Sequence, residues 1–252
     1  MILEKYSGSG NDFLITHLCE HDDLSTLAKN LCHRHLGIGA DGFITLKPHA
    51  THAYAWEFFN SDGTRASMCG NASRCVAHYA HKHHLAPRTH TFWAGERAIE
   101  VKVKEGDIIQ SHLGKHSPIE TLELQTSYGI CAYLTHTGVP HLVIFTQDSA
   151  LLPLNATEEL RALRERFDAN VNIVHQKDSR VLEVHTYERG VEGITLACGT
   201  GMGAASAVAS SVMGLGDSYI CIPPSGEELI FDISEGNVSF EGTVRHIATC
   251  II

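Results

Sequence analysis

MCGNASRCVAHYA, residues 68–80, lines up with ACGTGMGAASAVA, residues 197–209, about half the chain further on. In both stretches a Cys-Gly pair opens a helical pattern directly after a strand-and-turn segment, FFNSDGTRAS before the first and TYERGVEGITL before the second. A long-range repeat of one such unit predicts two similar domains facing each other. The second helix is small or apolar nearly all round, as a helix buried inside a domain must be and a surface helix is not. Each domain is therefore expected to wrap strands around one central helix. That is an α+β fold of two pseudo-symmetric, β-rich domains with the active site in the cleft between them, the boundary falling near residues 112–118.

Outward from these two stretches, short β-type runs bounded by Gly, Asn, Asp and Pro dominate. They cover Phe13 to Thr16, Phe43 to Lys47, Ala53 to Phe59, Ile99 to Lys104, His141 to Phe145, Asn172 to His175 and Val181 to Tyr187. Further runs at Tyr219 to Ile222, Leu229 to Ile233, Val238 to Phe240 and Val244 to Ile252 read as a β-meander. Four helices are expected: one from Leu24, one after Cys69, one after Asn155 with Asn155 as its cap, and one after Cys198.

The 252 residues are 43% hydrophobic and 19% charged, the composition of a globular protein with ample apolar material for a core. A formal charge of -10 argues against a nucleic-acid footprint or a polybasic membrane patch and leaves a small molecule as the expected partner. No run approaches the roughly 18 apolar residues of a membrane span, and no basic leader precedes an apolar stretch, so a cytoplasmic protein is expected. None of the eight cysteines shows CxxC spacing, so a zinc site is not expected and reduced thiols are. Cys75, Cys131 and Cys221 read as core residues. The histidines at 78, 81, 83 and 84 read as a solvated helix end rather than a metal site. GSGNDF lacks the Lys-Ser/Thr of a phosphate loop.

Cys69 and Cys198 stand apart because each begins a helix. A helix N-terminus presents unpaired N–H groups and partial positive charge, which bind carboxylates and favour thiolate over thiol. An ordinary thiol, with a pKa of about 8.5, becomes a candidate base there. Two such helices pointed at one another would hold an α-carboxylate and flank its α-carbon with two sulfurs. As an α-proton leaves, charge builds on the carboxylate oxygens, where N–H donors at Gly70, Asn71, Gly199 and Thr200 would stabilise it. With a base on one face and an acid on the other, inversion needs no metal and no other cofactor.

Several motifs occur in one order: KYSGSGNDF at 5–13, GIGADG at 37–42, FFNSDGTRASMCGN at 58–71, NVNIV at 170–174, and YERG with ACGTG between 187 and 201. In that set the sequence resembles diaminopimelate epimerase from Met1 to the final strands. The resemblance implies Cys69 and Cys198 as the acid/base pair, assisted by His141 and Glu188. It implies substrate binding by Asn11, Asn60, Gly70, Asn71, Asn172, Glu188, Arg189, Gly199 and Thr200. It further implies a last strand that returns to the first domain, giving domains of residues 1–114 with 242–252 and 115–241, and a homodimer. Epimerisation of LL- to meso-diaminopimelate, in lysine and peptidoglycan precursor synthesis, is the expected activity.

Three departures mark this chain: Gly42 where the family usually has Gln, Val139 where it has Asn, and an ERG-to-Cys segment one residue longer with Glu192 and Gly193 transposed. They raise the alternative of a broadened racemase of glutamate or proline type. A thiol redox sensor accounts for the two cysteines, but not for Asn60, Asn172 and Arg189.

Overall fold

The computed structural model of the chain describes residues 1–66 and 68–252. Ser67, inside the FFNSDGTRASMCGN motif, lies outside them. Met1–Ser111 with Gly242–Ile252 form one compact unit, and His112–Glu241 form a second.

The first stretch of chain runs β1 (Ile2–Gly8), β2 (Asn11–Thr16), α1 (Leu24–Cys32), β3 (Gly42–Lys47), β4 (Ala55–Asn60), α2 (Gly70–Lys82), β5 (Thr89–Trp93), β6 (Ala98–Val103) and β7 (Ile108–Lys115). The second runs β8 (Glu120–Glu123), β9 (Cys131–His136), β10 (Pro140–Thr146), α3 (Glu158–Phe167), β11 (Asn170–Asp178), β12 (Val181–Glu188), β13 (Gly193–Ile194), α4 (Gly199–Ser211), β14 (Ser218–Ile222), β15 (Leu229–Ser234) and β16 (Asn237–Thr243). The final strand, β17 (Arg245–Ile251), leaves the meander formed by β14, β15 and β16 and pairs with β1 of the first unit.

Strand pairing makes the repeat explicit. In the first unit the series β17–β1–β2–β3–β4–β5–β6–β7 is antiparallel except for the parallel pairs β2–β3 and β4–β5. In the second, β8–β9–β10–β11–β12–β14–β15–β16 is antiparallel except for β10–β11 and β12–β14. The parallel steps fall at the same places, and each needs a crossover. The first crossover is α1 or α3, and the second is α2 or α4, the helices that follow Cys69 and Cys198.

Alternation explains how two layers are filled at once. Phe13, Ile15, Ile44 and Leu46 point toward α2, where they meet Ala72, Cys75, Val76 and Tyr79. Leu14 and Phe43 point the other way, toward Ala28 and Leu31 of α1. In the second unit, Leu160 and Leu163 of α3 cover Leu142, Ile144, Val171 and Ile173 from outside. α4 is buried from Gly199 to Ala209. Its small residues are required: a Cβ at Gly203 would stand 3.0 Å from Leu113 and 3.1 Å from Val238. Cys75 and Cys221 are core residues, whereas Cys131 is only half-buried.

Two expectations are corrected. The cap of α3 is Thr157, whose hydroxyl accepts from Leu160 N at 3.2 Å, and not Asn155. Glu158 and Glu159 then fall in the first turn, where the helix dipole favours them. The histidines near the end of α2 are not a solvated run. His83 meets the carboxylate of Glu4 at 2.9 Å, Lys82 donates to both Glu4 oxygens, and His78 bridges Tyr6 and Asp107. Glu4 is 5% exposed, and a buried carboxylate must be paired. Burial works to raise its pKa, but hydrogen bonds from Lys82, His83 and Tyr6 outweigh that and hold it below the ordinary value. Among the described residues no group of three or more His, Cys, Asp or Glu side chains is arranged to hold a metal ion, and no helix is long and apolar enough to cross a membrane.

Candidate active site

The four helices begin in two different ways. Asp23 caps α1 with its own carboxylate, accepting from Thr26 N at 3.0 Å, and Thr157 caps α3 in the same fashion. Cys69 and Cys198 occupy the cap positions of α2 and α4 in extended conformation, and neither makes a side-chain cap bond. A Ser, Thr, Asp or Asn at these positions would accept from a first-turn N–H group, as Asp23 and Thr157 do in the other two helices. Among the described residues, these are the two α-helices whose cap side chain makes no cap hydrogen bond, and in each the cap residue carries a sulfur.

Around Cys69 the side chains form a relay. The amide of Asn71 donates to Asn11 Oδ1 at 2.8 Å, and Asn11 donates in turn to Asp41 at 3.0 Å. Asn71 Oδ1 accepts from Arg74 at 3.0 Å, and Arg74, fully buried inside α2, also reaches Ser9 at 2.6 Å and Thr243 O at 3.1 Å. Asn11 and Asn71 thus belong to one cluster whose ends are Asp41 and Arg74, both missed in the sequence reading. An Arg directly after the small residues that open α2, three places after Asn71, was the available signal. Asn60 stands apart from that relay at the end of β4, donating to Thr64. It pairs across the ladder with Gly42, where a Cβ would come within 2.5 Å of the Phe58 ring. The aromatic ring therefore holds the space in which the family's Gln would begin.

Around Cys198, the sulfur lies 3.5 Å from the Thr200 hydroxyl, and Thr200 O accepts from Thr137 at 2.8 Å, tying the first turn of α4 to the β9–β10 turn. Cys198 is 7% exposed. His141 and Asn172 come together inside this unit. Both are 0% exposed, with Asn172 Nδ2 and His141 Nδ1 at 3.2 Å. Asn172 also donates to Leu142 O at 3.0 Å and accepts from Thr186 at 2.9 Å, so its amide is spent on the interior. The neighbour missed in the sequence is Asn170, whose Oδ1 accepts from Arg189 N at 2.8 Å at the end of the same strand.

Burial pushes His141 down to about 3, helped by the charges of His136 and Arg189. Between about 3 and the ordinary histidine value of 6.5 the unfolded chain binds the extra proton and the folded chain does not. This share of stability is complete above that window and is lost as pH falls through it. Urea unfolding of the wild type should therefore weaken more on acidification than that of His141→Gln. Equal acid sensitivity in the two would remove His141 as the cause.

Glu188 ends β12 half-buried, and burial raises its carboxyl above the ordinary value. Arg189 Nη1 pairs with the Asp168 carboxylate at 2.9 Å and also donates to the Asp168 carbonyl at 3.0 Å. Glu192, in left-handed conformation, folds back over this turn: its carboxylate accepts from Gly190 N at 3.1 Å and Tyr187 OH at 3.2 Å and meets Arg164 at 2.8 Å. The transposed residue of this chain is thus the fastener of the turn that carries Glu188 and Arg189.

Solved structures with this architecture include a PhzF-family phenazine biosynthesis protein from Bacillus anthracis, with a TM-score of 0.77 and 12% identity over 100% of this chain and 99% of that one. A probable proline racemase from Agrobacterium radiobacter K84 gives 0.70 and 14%, over 100% and 92%. At such identities the likeness is one of fold, and it defines the class: paired strand-rich units, each wrapped on a central helix. Within that class, the model of the family described as diaminopimelate epimerase matches residues 3–118 and 133–246. The diaminopimelate epimerase of Helicobacter pylori strain P12 is 43% identical over 263 aligned positions, covering 100% of this chain and 97% of that protein. That of Campylobacter jejuni strain 81-176 is 43% identical over 244, covering 96% and 95%. The chain belongs to the diaminopimelate epimerase family and is an isomerase.

Proposed function

We propose that this enzyme interconverts LL- and meso-diaminopimelate by two-base proton transfer at the α-carbon, with Cys69 and Cys198 as the two bases. The observation that carries the proposal is the pair of helices that start at a cysteine with no side-chain cap. One cysteine, as thiolate, takes the α-proton. The other, as thiol, gives its proton to the opposite face, so the enzyme ends with the two roles exchanged and no net proton gained. The charge that passes onto the substrate carboxylate during the exchange is received by N–H groups of Gly70, Asn71, Gly199 and Thr200. Asn11, Asn60, Glu188 and Arg189 supply polar contacts to the rest of the amino acid, with Asn172 behind them in the interior. Thiol chemistry of this kind suits a reducing, cytoplasmic setting. Exposed Ile2, Ile247 and Ile251 on the β1–β17 pair support a homodimer.

Proton NMR in D2O tests the reaction. Incubation of the reduced, metal-free protein with LL-diaminopimelate should erase the α-proton signal and yield the meso isomer, while glutamate under the same conditions stays unchanged. Turnover of glutamate at comparable kcat/KM would favour the broader racemase, and no exchange with either would sink the proposal. On this reading Glu192→Gln, which keeps the shape of the side chain and loses its charge, should raise KM by up to about fivefold with kcat little changed, since exposed pairs are weak. A fall in kcat at constant KM would contradict the fastening role.

A further inference from the structure

We propose that Asp41, the acidic residue of the GIGADG motif, is a positioning residue for the epimerisation: it holds the amides of Asn11 and Asn71 in the one orientation in which Asn11 meets the substrate. That Asn11 touches the substrate rests on the function proposed above, whereas the orientation does not. Asp41 Oδ1 accepts from Arg34 at 2.7 Å. Its other oxygen accepts from Asn11 Nδ2 at 3.0 Å and from Asp12 N at 3.2 Å. At the far end Arg74 donates to Asn71 Oδ1 at 3.0 Å, and between the two ends Asn71 Nδ2 donates to Asn11 Oδ1 at 2.8 Å. A guanidinium can only donate and a carboxylate only accept, so the two amides between them are threaded in a single sense. A reversed Asn11 would set its oxygen against the Asp41 carboxylate and its nitrogen against that of Asn71. An amide N–H₂ has two hydrogens. Asn11 gives one to Asp41, and the second, without a partner among the described residues, meets the substrate as a donor.

The chain is shaped to deliver this carboxylate. Ile38 N and Gly39 N donate to Leu31 O at 2.9 and 3.0 Å, and Ala40 N donates to Cys32 O at 3.1 Å, so the segment before β3 folds back on the end of α1. A Cβ at Gly37 would fall 2.2 Å from Asn30 O, and a glycine stands there for that reason. Asp41 N then donates to Asp12, reaching both its carbonyl and Oδ1 at 2.9 Å. Arg34 bonds both Asp12 oxygens, at 3.1 and 2.9 Å, and Lys5 lies 2.9 Å from Asp12 Oδ2. KYSGSGNDF and GIGADG thus close one cluster, with Lys5, Asn11 and Asp12 from the first and Asp41 from the second.

That cluster also separates positioning from stability. Arg34 and Lys5 stay paired with Asp12 when Asp41 is neutralised, so the loop keeps its anchor. What is lost is the second acceptor oxygen. Arg34 on one side and Asn11 with Asp12 N on the other each require an oxygen, and an asparagine at position 41 has only one. Whichever way it turns, its N–H₂ faces a donor.

Kinetics of the full-length enzyme with diaminopimelate test the inference. Asp41→Asn should raise KM about 10–100-fold, the cost of losing a hydrogen bond to a charged group, with kcat within about threefold of wild type. The cycle with Asn11→Ala excludes a merely structural role: once Asn11 is gone, Asp41→Asn should change kcat/KM by less than about twofold, whereas damage to the fold would be equal in both backgrounds. Arg34→Met, which loosens the carboxylate without removing it, should raise KM about two- to fivefold. It takes the place of Asp41→Asn in the same cycle should that variant not fold. Additive losses in the cycle, or a loss borne by kcat alone, overturn the proposal. In 1H–15N spectra, Asp41→Asn should move the side-chain amide signals of both Asn11 and Asn71, and unmoved signals overturn it as well. If the wild type does not turn over diaminopimelate, the proposed function fails, and the spectra still decide whether Asp41 sets the orientation.

Discussion

Replacing Cys69 or Cys198 by serine is expected to lower kcat/KM for epimerisation by about 10²–10⁴-fold in each case, the range supplied by a positioned acid or base. A serine hydroxyl is nearly the size of the thiol, so the fold should be preserved. It is a far weaker acid, however, and the N-terminus of α2 or α4 cannot bring it into a working range. The two losses should also differ in kind. The thiol that survives can still take the proton on its own side, so each variant should retain slow α-proton exchange from one stereoisomer and none from the other. Solvent-deuterium exchange followed separately from each pure isomer checks this. Exchange from both isomers at equal rates in either variant would mean that one base serves both faces.

Gly201→Ala should be the most damaging small change in the second unit. The added carbon would fall 2.3 Å from Asn172 Oδ1 and 2.9 Å from Thr186 Oγ1, and neither neighbour can retreat easily. Asn172 is held by two backbone carbonyls and Thr186 by Asn172. Overpacking of this kind typically costs about 1–3 kcal/mol, because either the amide network breaks or the first turn of α4 lifts off it. The helix start is the part of the molecule that receives negative charge in the proposed reaction, so kcat should fall even in molecules that remain folded. Denaturant unfolding alongside turnover, compared with Ala204→Gly as a control for helix propensity, separates the two effects. A Gly201→Ala enzyme of normal stability and normal kcat would show that the close approach is not needed.

What could be read from the sequence was what depends on residue type at a helix end or on the face of a strand. Cys followed by Gly makes little sense as a side-chain cap, so the two central helices and their pseudo-symmetry were visible. Strands with long apolar runs, such as Phe43–Lys47, were visible for the same reason. β1 was not, because Glu4 and Lys5 spoil its pattern. Both are tolerated only through tertiary partners, Lys82 and His83 for one and Asp12 for the other. β5, β8 and β9 were hidden by the same mixture of polar and apolar residues. At the site, Asn170 and Asn172 are interchangeable as letters two places apart on one strand. Only the backbone amide of Arg189, which turns back onto the first, separates them. Thr157 and Asn155 are both respectable caps, and the choice is made by where α3 packs, not by propensity.

The pairing of β17 with β1 sets an order of events during synthesis. Residues 112–241 are contiguous and can close their unit as soon as they leave the ribosome, whereas the unit holding Cys69 waits for a strand made last. Until then β1 presents one unpaired edge, an invitation to the wrong partner. The half of the enzyme that begins first is thus completed second, and a shortened C-terminus would be felt at the opposite end of the sequence.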